Sequence, residues 1–216
     1  MDGQITALKV QKRNKRRVTV YLDGKFAFGL ADIEAARLQV GQTLSDQEIA
    51  RLQERDSVEV ALQRGMDLLS YRPRSRGELR TRLRKKGLEE AAIAEALDRL
   101  ERTGLLNDLE FAHYWIENRF QFNPRGAMAL RQELRQKGLD QATIDQALAD
   151  YDEEKAAARA AERAVQKLSH LNGETFQRKL SGYLKRRGFS YSIVRPLVEV
   201  ALANHGPGEP FGRDEE

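Results

Sequence analysis

The chain contains no cysteine, which excludes disulfide bonds, thiolate metal sites and thiol chemistry. It also lacks any apolar run that approaches the roughly 18 residues of a membrane-spanning helix. The first ten residues, MDGQITALKV, do not show the basic and then apolar pattern of a secretory signal. An apolar fraction of 40% over 216 residues is typical of a globular protein with a sizeable core. We therefore expect a cytoplasmic protein without a membrane segment.

The sequence patterns of catalysis and of nucleotide binding are missing as well. There is neither a Walker A sequence nor a Gly-x-Gly-x-x-Gly loop, so nucleotide binding has no support. The three histidines, His113, His170 and His205, do not have the spacing of a metal site. We expect a protein that is not an enzyme and that holds no metal ion or cofactor.

Charged residues, in contrast, are abundant and unevenly distributed. Lysine and arginine number 37 against 33 acidic residues, which gives a net charge of +4. Residues 72–86 hold eight basic side chains and one acidic side chain, Glu78, whereas acidic residues predominate over residues 89–110. Such sorting is expected when successive helices present different faces to different neighbours.

The amino-terminal part predicts a small β element. Its runs ITALKVQ, RVTVYL and KFAFGL are short and β-rich, and Asp23-Gly24 between the last two is a strong signal for a two-residue hairpin. The segment KRNKRR between the first two runs predicts a basic turn. After Leu30 the apolar period changes toward a helix, and Ser45 with Glu48 forms a capping box that opens another helix.

From about residue 57 the sequence predicts only helices, arranged as a repeat. The basic hexapeptide LRKKGL at residues 83–88 recurs as LRQKGL at 134–139 and as LKRRGF at 184–189. A shift of 51 residues also aligns Tyr71 with Phe122, and the Pro-Arg pairs that follow them. Repeats at this spacing indicate supersecondary units that stack on one another.

We predict a mainly α fold, in which tandem three-helix repeats form an elongated, curved module behind a small antiparallel β element. The predicted helices cover residues 57–71, 75–86, 89–103, 108–122, 126–137, 140–151, 153–170, 173–187 and 190–203. The predicted domains are a β extension with a short helix at residues 1–44, three helical repeats at 45–106, 107–152 and 153–203, and a disordered acidic tail at 204–216.

Each hexapeptide predicts a sharp corner between two helices. Its glycine suits the left-handed position just beyond a helix end, because glycine has no Cβ to clash there. The apolar residue after the glycine can then contact a leucine of the helix just ended and an apolar residue of the next helix, as in a hydrophobic staple. These residues are Leu83, Gly87, Leu88 and Ile93, then Leu134, Gly138, Leu139 and Ile144, then Leu184, Gly188, Phe189 and Val194. Asp140 and Ser190 are good N-caps for the following helices, and Glu89 is a weaker one.

An aromatic-rich helix, FAHYWIENRF, begins at Phe111. Phe111, Trp115 and Phe122 share one helical face, which predicts a role in the core rather than a binding platform. Tyr114 lies off that face, and we expect it to be exposed.

Two interpretations of the basic residues are open at this point. Lysine and arginine in the last turn of a helix complement its dipole by about 0.3 to 1 kcal/mol each and need no partner for this. The dipole does not explain Arg76 and Arg80, which lie near a helix N-terminus, so we expect an anionic group to offset them. A helix-turn-helix reader of DNA is disfavoured, because the helices after the glycines are acidic and would repel a duplex.

In its order of motifs the chain resembles the RecX family, small regulators that restrain the RecA recombinase. The resemblance covers about residues 40–203 and rests on RPRSRGELRTRLRKKGL, GLLNDLEFAHYWIENRF, PRGAMALRQELRQKGL and LKRRGF. The β segment is similar to an extension that some members carry. The third repeat departs from the pattern, because Glu174 and Thr175 stand where the other repeats have Pro-Arg.

The resemblance implies regulation without catalysis. Members lodge in the groove of the RecA filament on DNA and depress its ATP hydrolysis, strand exchange and repressor cleavage, which would affect DNA repair and the SOS response. The expected partners are therefore the RecA filament and, through it, single- or double-stranded DNA. We expect the chain itself to be a monomer.

We expect the basic residues of the three hexapeptides and of the segments before them to face the filament or its DNA. They are Arg72, Arg74, Arg76, Arg80, Arg84, Lys85, Lys86, Arg125, Arg131, Arg135, Lys137, Lys185, Arg186 and Arg187. The alternative is a stand-alone nucleic-acid-binding protein that uses the same basic helical faces. Strong dependence of DNA binding on salt, without any recombinase, would favour the alternative.

Overall fold

The first unit of the chain opens with a four-stranded antiparallel sheet in the computed structural model, which describes residues 2–205. The strands lie in the order β3-β2-β1-β4. Their bounds are β1 Gly3–Val10, β2 Arg17–Leu22, β3 Lys25–Ala31 and β4 Thr43–Leu44. Asp23 and Gly24 join β2 to β3 with φ of 50° and 80°, the left-handed pair of a tight hairpin turn, so the predicted hairpin is confirmed.

One face of this sheet packs on helices of the same unit. Its buried residues form a core with Ala35 of the short helix α1 (Asp32–Ala35) and Leu52 of α2 (Asp46–Tyr71). The sheet is also bound to α2 through Asp56, which lies 2.6 Å from Arg17 Nη1 and accepts a hydrogen bond of 2.6 Å from the Ala31 amide.

Helix α2 confirms one prediction and corrects another. The Ser45 hydroxyl accepts from the Glu48 amide, and the Glu48 carboxylate accepts from the Ser45 amide at 2.8 Å, as the capping box predicts. The predicted start of a new helix at residue 57 is wrong, because α2 runs without interruption for 26 residues. The capping pattern marks where a helix begins, but no glycine or proline between Ser45 and residue 57 marks an end.

Eight further helices follow α2 in the described residues, and together they form three-helix domains. In the first unit, which ends at Asn107, α3 and α4 complete the first domain with the second half of α2. The second unit begins at Asp108 and contains the other two domains. The helices are α3 Arg76–Arg84, α4 Glu90–Arg102, α5 Asp108–Phe122, α6 Ala127–Gln136, α7 Gln141–Ala147, α8 Glu153–Leu168, α9 Gly173–Arg186 and α10 Tyr191–Ala203. The predicted mainly α fold with a small N-terminal sheet is thereby confirmed.

The predicted corners are present in all three domains. Gly87, Gly138 and Gly188 have φ of 77°, 87° and 84°, which only glycine adopts without a Cβ clash. In each corner the amide of the next residue donates back to the leucine carbonyl five residues earlier. These bonds are Leu88 to Leu83 at 3.5 Å, Leu139 to Leu134 at 3.2 Å and Phe189 to Leu184 at 3.4 Å. Each glycine amide also donates to the carbonyl three residues before it, which completes a Schellman ending.

Each corner is also closed by apolar packing, as expected for a hydrophobic staple. The leucines before the glycines are fully buried, and the apolar residue after each glycine packs into the same core. Asp140 caps α7 by accepting from the Thr143 amide at 2.9 Å. Ser190 is the N-cap residue of α10, as predicted, but its hydroxyl contacts the Ser192 hydroxyl at 2.9 Å and makes no capping hydrogen bond.

Within the second unit, the second and third domains meet at a close approach of two backbones. The Gly126 amide, just before α6, donates to the Arg187 carbonyl at 2.9 Å. A Cβ on Gly126 would overlap the Gly188 carbonyl and lie 2.6 Å from the Phe189 amide nitrogen. The absence of a side chain at Gly126 is therefore required by packing and not by backbone conformation.

The rings of Phe122 and His205 lie in surroundings that the sequence does not predict. Phe111 is buried and Trp115 packs beside it, as predicted, but Phe122 is 75% exposed, so its predicted place in the core is wrong. The ring of His205 stacks on Phe176 with centroids 4.0 Å apart, and its Nε2 lies 2.7 Å from the Leu171 carbonyl oxygen. This histidine is therefore packed against α9, and the rest of the tail predicted at 204–216 lies outside the described residues from residue 206 onward.

The contact between Gly126 and Gly188 gives a test of the fold. We expect Gly126→Ala to lower the free energy of unfolding by about 1 to 3 kcal/mol, because the added methyl group forces the two backbones apart. The measurement is urea unfolding of the full chain, followed by circular dichroism. Gly182→Ala is the matched control, since that site lies inside α9 with only the flexible end of Arg186 nearby, and alanine favours a helix. Equal unfolding midpoints for wild type and Gly126→Ala would contradict the packing described.

Candidate partner-binding surface

Several of the predicted basic residues form ion pairs inside their own domain. Arg76 at the start of α3 lies 2.6 Å from both Asp98 and Glu101 of α4. Burial by itself lowers the pKa of Arg76, but the hydrogen bonds to these two carboxylates raise it overall. The anionic group expected near the start of α3 is therefore supplied, at least in part, by α4.

The same arrangement recurs along the second helices of the first two domains. Arg80 of α3 pairs with Glu90 of α4, and Arg131, its equivalent in α6, pairs with Asp145 of α7. Arg72 holds both carboxylate oxygens of Glu78, at 3.1 and 3.2 Å. These pairs reduce the charge that such arginines can offer to a partner.

The Pro-Arg arginines have a packing role. Arg74 is only 8% exposed, and its Nε donates to the Leu68 carbonyl at 2.9 Å. Its Nη1 is buried without a hydrogen-bond partner among residues 2–205, and burial, followed by repulsion from Arg72, lowers its pKa. Arg125, at the equivalent place in the second domain, lies 3.6 Å from Glu133. We therefore exclude Arg74 from the candidate surface.

In the second domain, Glu133 organises a cluster around Trp115. One carboxylate oxygen of Glu133 accepts from the indole nitrogen at 2.8 Å and from Arg119 Nε at 2.7 Å. The Arg119 guanidinium lies 4.3 Å from the centre of the Trp115 ring system, and the Lys137 ammonium lies 4.5 Å from it. Lys137 is thus held on an aromatic face rather than free in solvent.

Three further predicted cations lie in the second unit and contact polar or aromatic groups of that unit. Arg187 donates to the Asn123 side chain and to the Pro124 carbonyl, and its guanidinium lies 4.4 Å from the Tyr183 ring centre. Burial lowers the pKa of Arg187, although Tyr183 opposes this shift. Arg135 donates to Gln141 at 2.6 Å, and Lys185 lies over the ring of Tyr191 at 5.5 Å.

Four predicted residues are exposed, and their side chains form no ion pair or hydrogen bond with the described part of the chain. They are Arg84, Lys85, Lys86 and Arg186, which we call the corner cations. All four precede a corner glycine, so the negative end of the helix dipole favours their charge. Because no acidic side chain is paired with them, they keep their full charge for a partner.

Sequence reasoning missed a pair of exposed aromatic residues. Tyr71 at the end of α2 is 83% exposed, and Phe122 at the end of α5 is 75% exposed. They occupy equivalent positions, since a shift of 51 residues superimposes them. That shift, together with their place at the last residue of a helix, was the available signal. We call Tyr71 and Phe122 the repeat aromatics.

Family models of RecX match four consecutive segments of the chain. The regulatory protein RecX N-terminal domain matches residues 3–45. The first, second and third three-helix domains of RecX match residues 61–100, 107–148 and 152–198. The chain belongs to the RecX family.

Individual RecX proteins support the same assignment. The regulatory protein RecX of Bacillus subtilis is 34% identical over 200 residues, which cover 90% of this chain and 76% of that protein. The regulatory protein RecX of Listeria monocytogenes serotype 4b is 30% identical and covers 93% of this chain and 76% of its own. A crystal structure of regulatory protein RecX superposes with a TM-score of 0.74 at 27% identity, over 91% of this chain and 99% of the other. The crystal structure of RecX from Lactobacillus salivarius superposes with a TM-score of 0.59 at 25% identity, over 68% of this chain and 97% of the other.

The RecX domains contain neither a metal cluster nor a membrane-spanning helix within the described residues. Between residues 2 and 205, no group of three or more histidine, aspartate or glutamate side chains is placed to hold a metal ion. In the same part of the chain, no helix is both long and apolar enough to cross a membrane.

The Glu133 cluster of the second RecX domain gives a test of these assignments. We expect Glu133→Ala to lower the free energy of unfolding by about 1 to 3 kcal/mol, because Arg119 and the Trp115 indole both lose their acceptor. Glu199→Ala is the matched control. Its partner Arg195 and Glu199 itself are well exposed, so the change should stay within about 0.5 kcal/mol. Thermal unfolding of both variants measures the difference, and equal effects would contradict a structural role for Glu133.

Proposed function

We propose that the protein binds the RecA filament on DNA and inhibits its ATP hydrolysis, strand exchange and repressor cleavage. It does so in the cytoplasm as a monomer, without catalysis of its own, and so restrains recombinational DNA repair and the SOS response. Membership of a family of regulatory proteins supports this proposal. The observation that carries it is that unpaired cations end the second helix of the first and third domains, and that exposed aromatics end the first helix of the first and second domains.

The repetition itself favours a filament as the partner. Equivalent contact groups in successive domains of one chain suit a partner that presents the same surface on successive subunits. Each further contact is then intramolecular, so affinity rises without a large energy at any single contact. A partner of one subunit would use only one such set.

The chemistry of the groups fits a protein interface. Exposed tyrosine, tryptophan and arginine supply much of the energy at interfaces, whereas scattered surface charges mainly set orientation and rate. The repeat aromatics fit the first role, and the corner cations fit the second. Inhibition then requires only that the bound chain favour an inactive arrangement of the filament, since a ligand shifts an equilibrium by its difference in affinity for the two states.

The ion pairs count against a stand-alone nucleic-acid-binding protein that uses helical faces. Arg76, Arg80 and Arg131 each lie against a carboxylate of the same domain. Arginines so neutralised release fewer counterions from DNA, which lowers affinity for naked DNA. The helical faces are therefore better suited to a protein partner than to a phosphate backbone.

The direct test is to titrate the full chain into RecA filaments on single-stranded DNA and to measure ATP hydrolysis. We expect hydrolysis to fall in a saturable way at amounts of the protein below or near those of RecA. The total concentration of RecA and the length of the DNA are held fixed. Unchanged hydrolysis at a large molar excess of the protein would contradict the proposal.

The corner cations predict a change in affinity without a change in fold. Replacing Arg84, Lys85 and Lys86 together by alanine should raise the concentration for half-inhibition about tenfold, since three exposed charges contribute about 1.4 kcal/mol in all. The control replaces the exposed Lys167, Arg178 and Lys179 by alanine, which removes the same charge away from the corners. Equal effects of the two triple variants would show that only net charge matters.

The repeat aromatics predict a larger effect. Tyr71→Ala or Phe122→Ala should each raise the half-inhibitory concentration about thirtyfold, because a buried aromatic anchor contributes about 2 kcal/mol or more. Both side chains are exposed in the free chain, so unfolding midpoints should not change. Tyr114→Ala is the control, as an exposed aromatic on α5 with no aromatic equivalent in the first domain. Inhibition that is unaffected by either anchor variant would remove these residues from the interface.

A further inference from the structure

The N-terminal sheet carries a cluster of basic side chains, most of which form no ion pair with the described helices. Residues 3–22 contain six basic side chains and no acidic one. They are Lys9, Lys12, Arg13, Lys15, Arg16 and Arg17. Of these, Arg17 is neutralised by Asp56 of α2, whereas the others have no carboxylate partner among the described residues. A surface with this charge is suited to a polyanion.

The turn between β1 and β2 presents most of these cations. Asn14 fixes the turn, because its carbonyl accepts from the Arg17 amide at 3.1 Å and its side chain accepts from the Arg16 amide at 3.0 Å. Lys12, Arg13 and Lys15 are exposed and make no ion pair within residues 2–205. Arg16 binds the neutral Gln63 at 2.6 Å and so keeps its charge.

Along β2 and β3, toward the end of the hairpin away from this turn, the outward face of the sheet offers aromatic rings. Val18 and Val20 of β2 face the core and are buried, so the alternate residues Thr19 and Tyr21 lie on the opposite face. The Lys9 ammonium lies 4.9 Å from the Tyr21 ring centre, which places a cation beside this ring. Phe26 of β3 is the strand partner of Tyr21 and is 67% exposed.

Phe26 is an unusual residue for its position. An exposed aromatic on the edge strand of a sheet invites aggregation, and natural edge strands commonly carry charge instead. Its neighbour Lys25 supplies such a charge, but the ring itself has no aromatic or cationic contact with the described chain. A ring that is kept exposed beside cations is suited to stacking on another flat group.

We propose that the basic turn and the outward sheet face, with Lys12, Arg13, Lys15, Tyr21 and Phe26 as its contact residues, bind single-stranded DNA. A basic groove with aromatic side chains is how proteins hold single strands without sequence preference, since phosphates meet the cations and bases stack on the rings. A duplex offers its phosphates but not its base faces, so the rings would be unused.

The nearby acids define the limits of the surface. Asp23 at the β2–β3 turn accepts from the Gln4 amide at 3.1 Å, and Asp32 follows β3 beside the groove between the sheet and α2. A phosphate chain is repelled from both, so the cations of the basic turn hold the phosphates. The rings of Tyr21 and Phe26, at the Asp23 end of the same strands, contact bases rather than phosphates. The choice of DNA over RNA is the only step that rests on the proposed function, because a recombinase filament carries single-stranded DNA.

The test measures binding of the full chain to a fluorescein-labelled oligothymidine of about 20 nucleotides by anisotropy, with no RecA present. Replacing Lys12, Arg13 and Lys15 together by alanine should weaken binding at least tenfold at low salt. It should also reduce the log-log salt slope by about two, at about 0.7 for each lost phosphate contact on a single strand. Phe26→Ala should weaken binding about fivefold or more and leave the salt slope unchanged, because stacking contributes about 1 to 3 kcal/mol per base.

Two control arms separate the contributions. An abasic strand of the same length should bind wild type more weakly and should not respond to Phe26→Ala, and equal binding of abasic and normal strands would overturn the stacking role. Replacing Arg84, Lys85 and Lys86 by alanine should leave binding of oligothymidine unchanged.

Other outcomes decide the nature of the ligand. Stronger binding of an oligouridine than of oligothymidine would overturn the choice of DNA, and equal competition by polyglutamate would overturn the choice of a nucleic acid. Failure of wild type to bind at low salt would overturn the proposal as a whole. Inhibition of RecA is measured separately on the same variants, so failure here is distinguishable from failure of the proposed function.

Discussion

A glycine in the left-handed region, followed by an apolar residue, ends the second helix of all three domains. Gly87, Gly138 and Gly188 let the chain reverse within two residues, and the amide that follows each of them is bonded back to a buried leucine. Since only glycine adopts this backbone without a Cβ clash, the corner fixes where the helix stops and where the next apolar side chain enters the core. The three helices of each domain can then share one core, which stabilises the short helices that would be marginal alone.

The corners also decide which charges are available. Basic residues before a corner glycine lie at the negative end of a helix, where their charge is favoured and no carboxylate is needed. Arg76 and Arg80, which lie one or more turns earlier, face the third helix of the same domain, and its acids pair with them. A run of eight basic residues in the sequence is therefore divided by the fold into structural cations and free ones. The free ones, together with Tyr71 and Phe122, are the residues that we propose to contact the partner.

Features encoded by neighbouring residues could be predicted from the sequence, whereas features set by packing could not. The corner glycines, the hairpin at Asp23-Gly24 and the capping box at Ser45 each depend on a few adjacent residues, and the structure confirms them. The ion pairs of Arg76 join residues 22 and 25 positions apart, so they depend on how α3 packs against α4. Phe122 shares a helical face with Phe111, yet it ends its helix beyond the core, and periodicity does not show where a core stops. The length of α2 was missed because a start signal for one helix does not exclude continuation into the next.

Hydrogen–deuterium exchange of the chain, free and bound to RecA filaments on single-stranded DNA, tests most directly whether the corners meet the filament. Amides of exposed turns exchange fast in a free chain and slow down when a partner covers them. Slower exchange on binding is expected in peptides that span residues 84–90, 135–141 and 185–191, and around Tyr71 and Phe122. The exchange of peptides from α8 should not change. Protection confined to α8, or no protection at any of the three corners while the chain is bound, would contradict the role assigned to them.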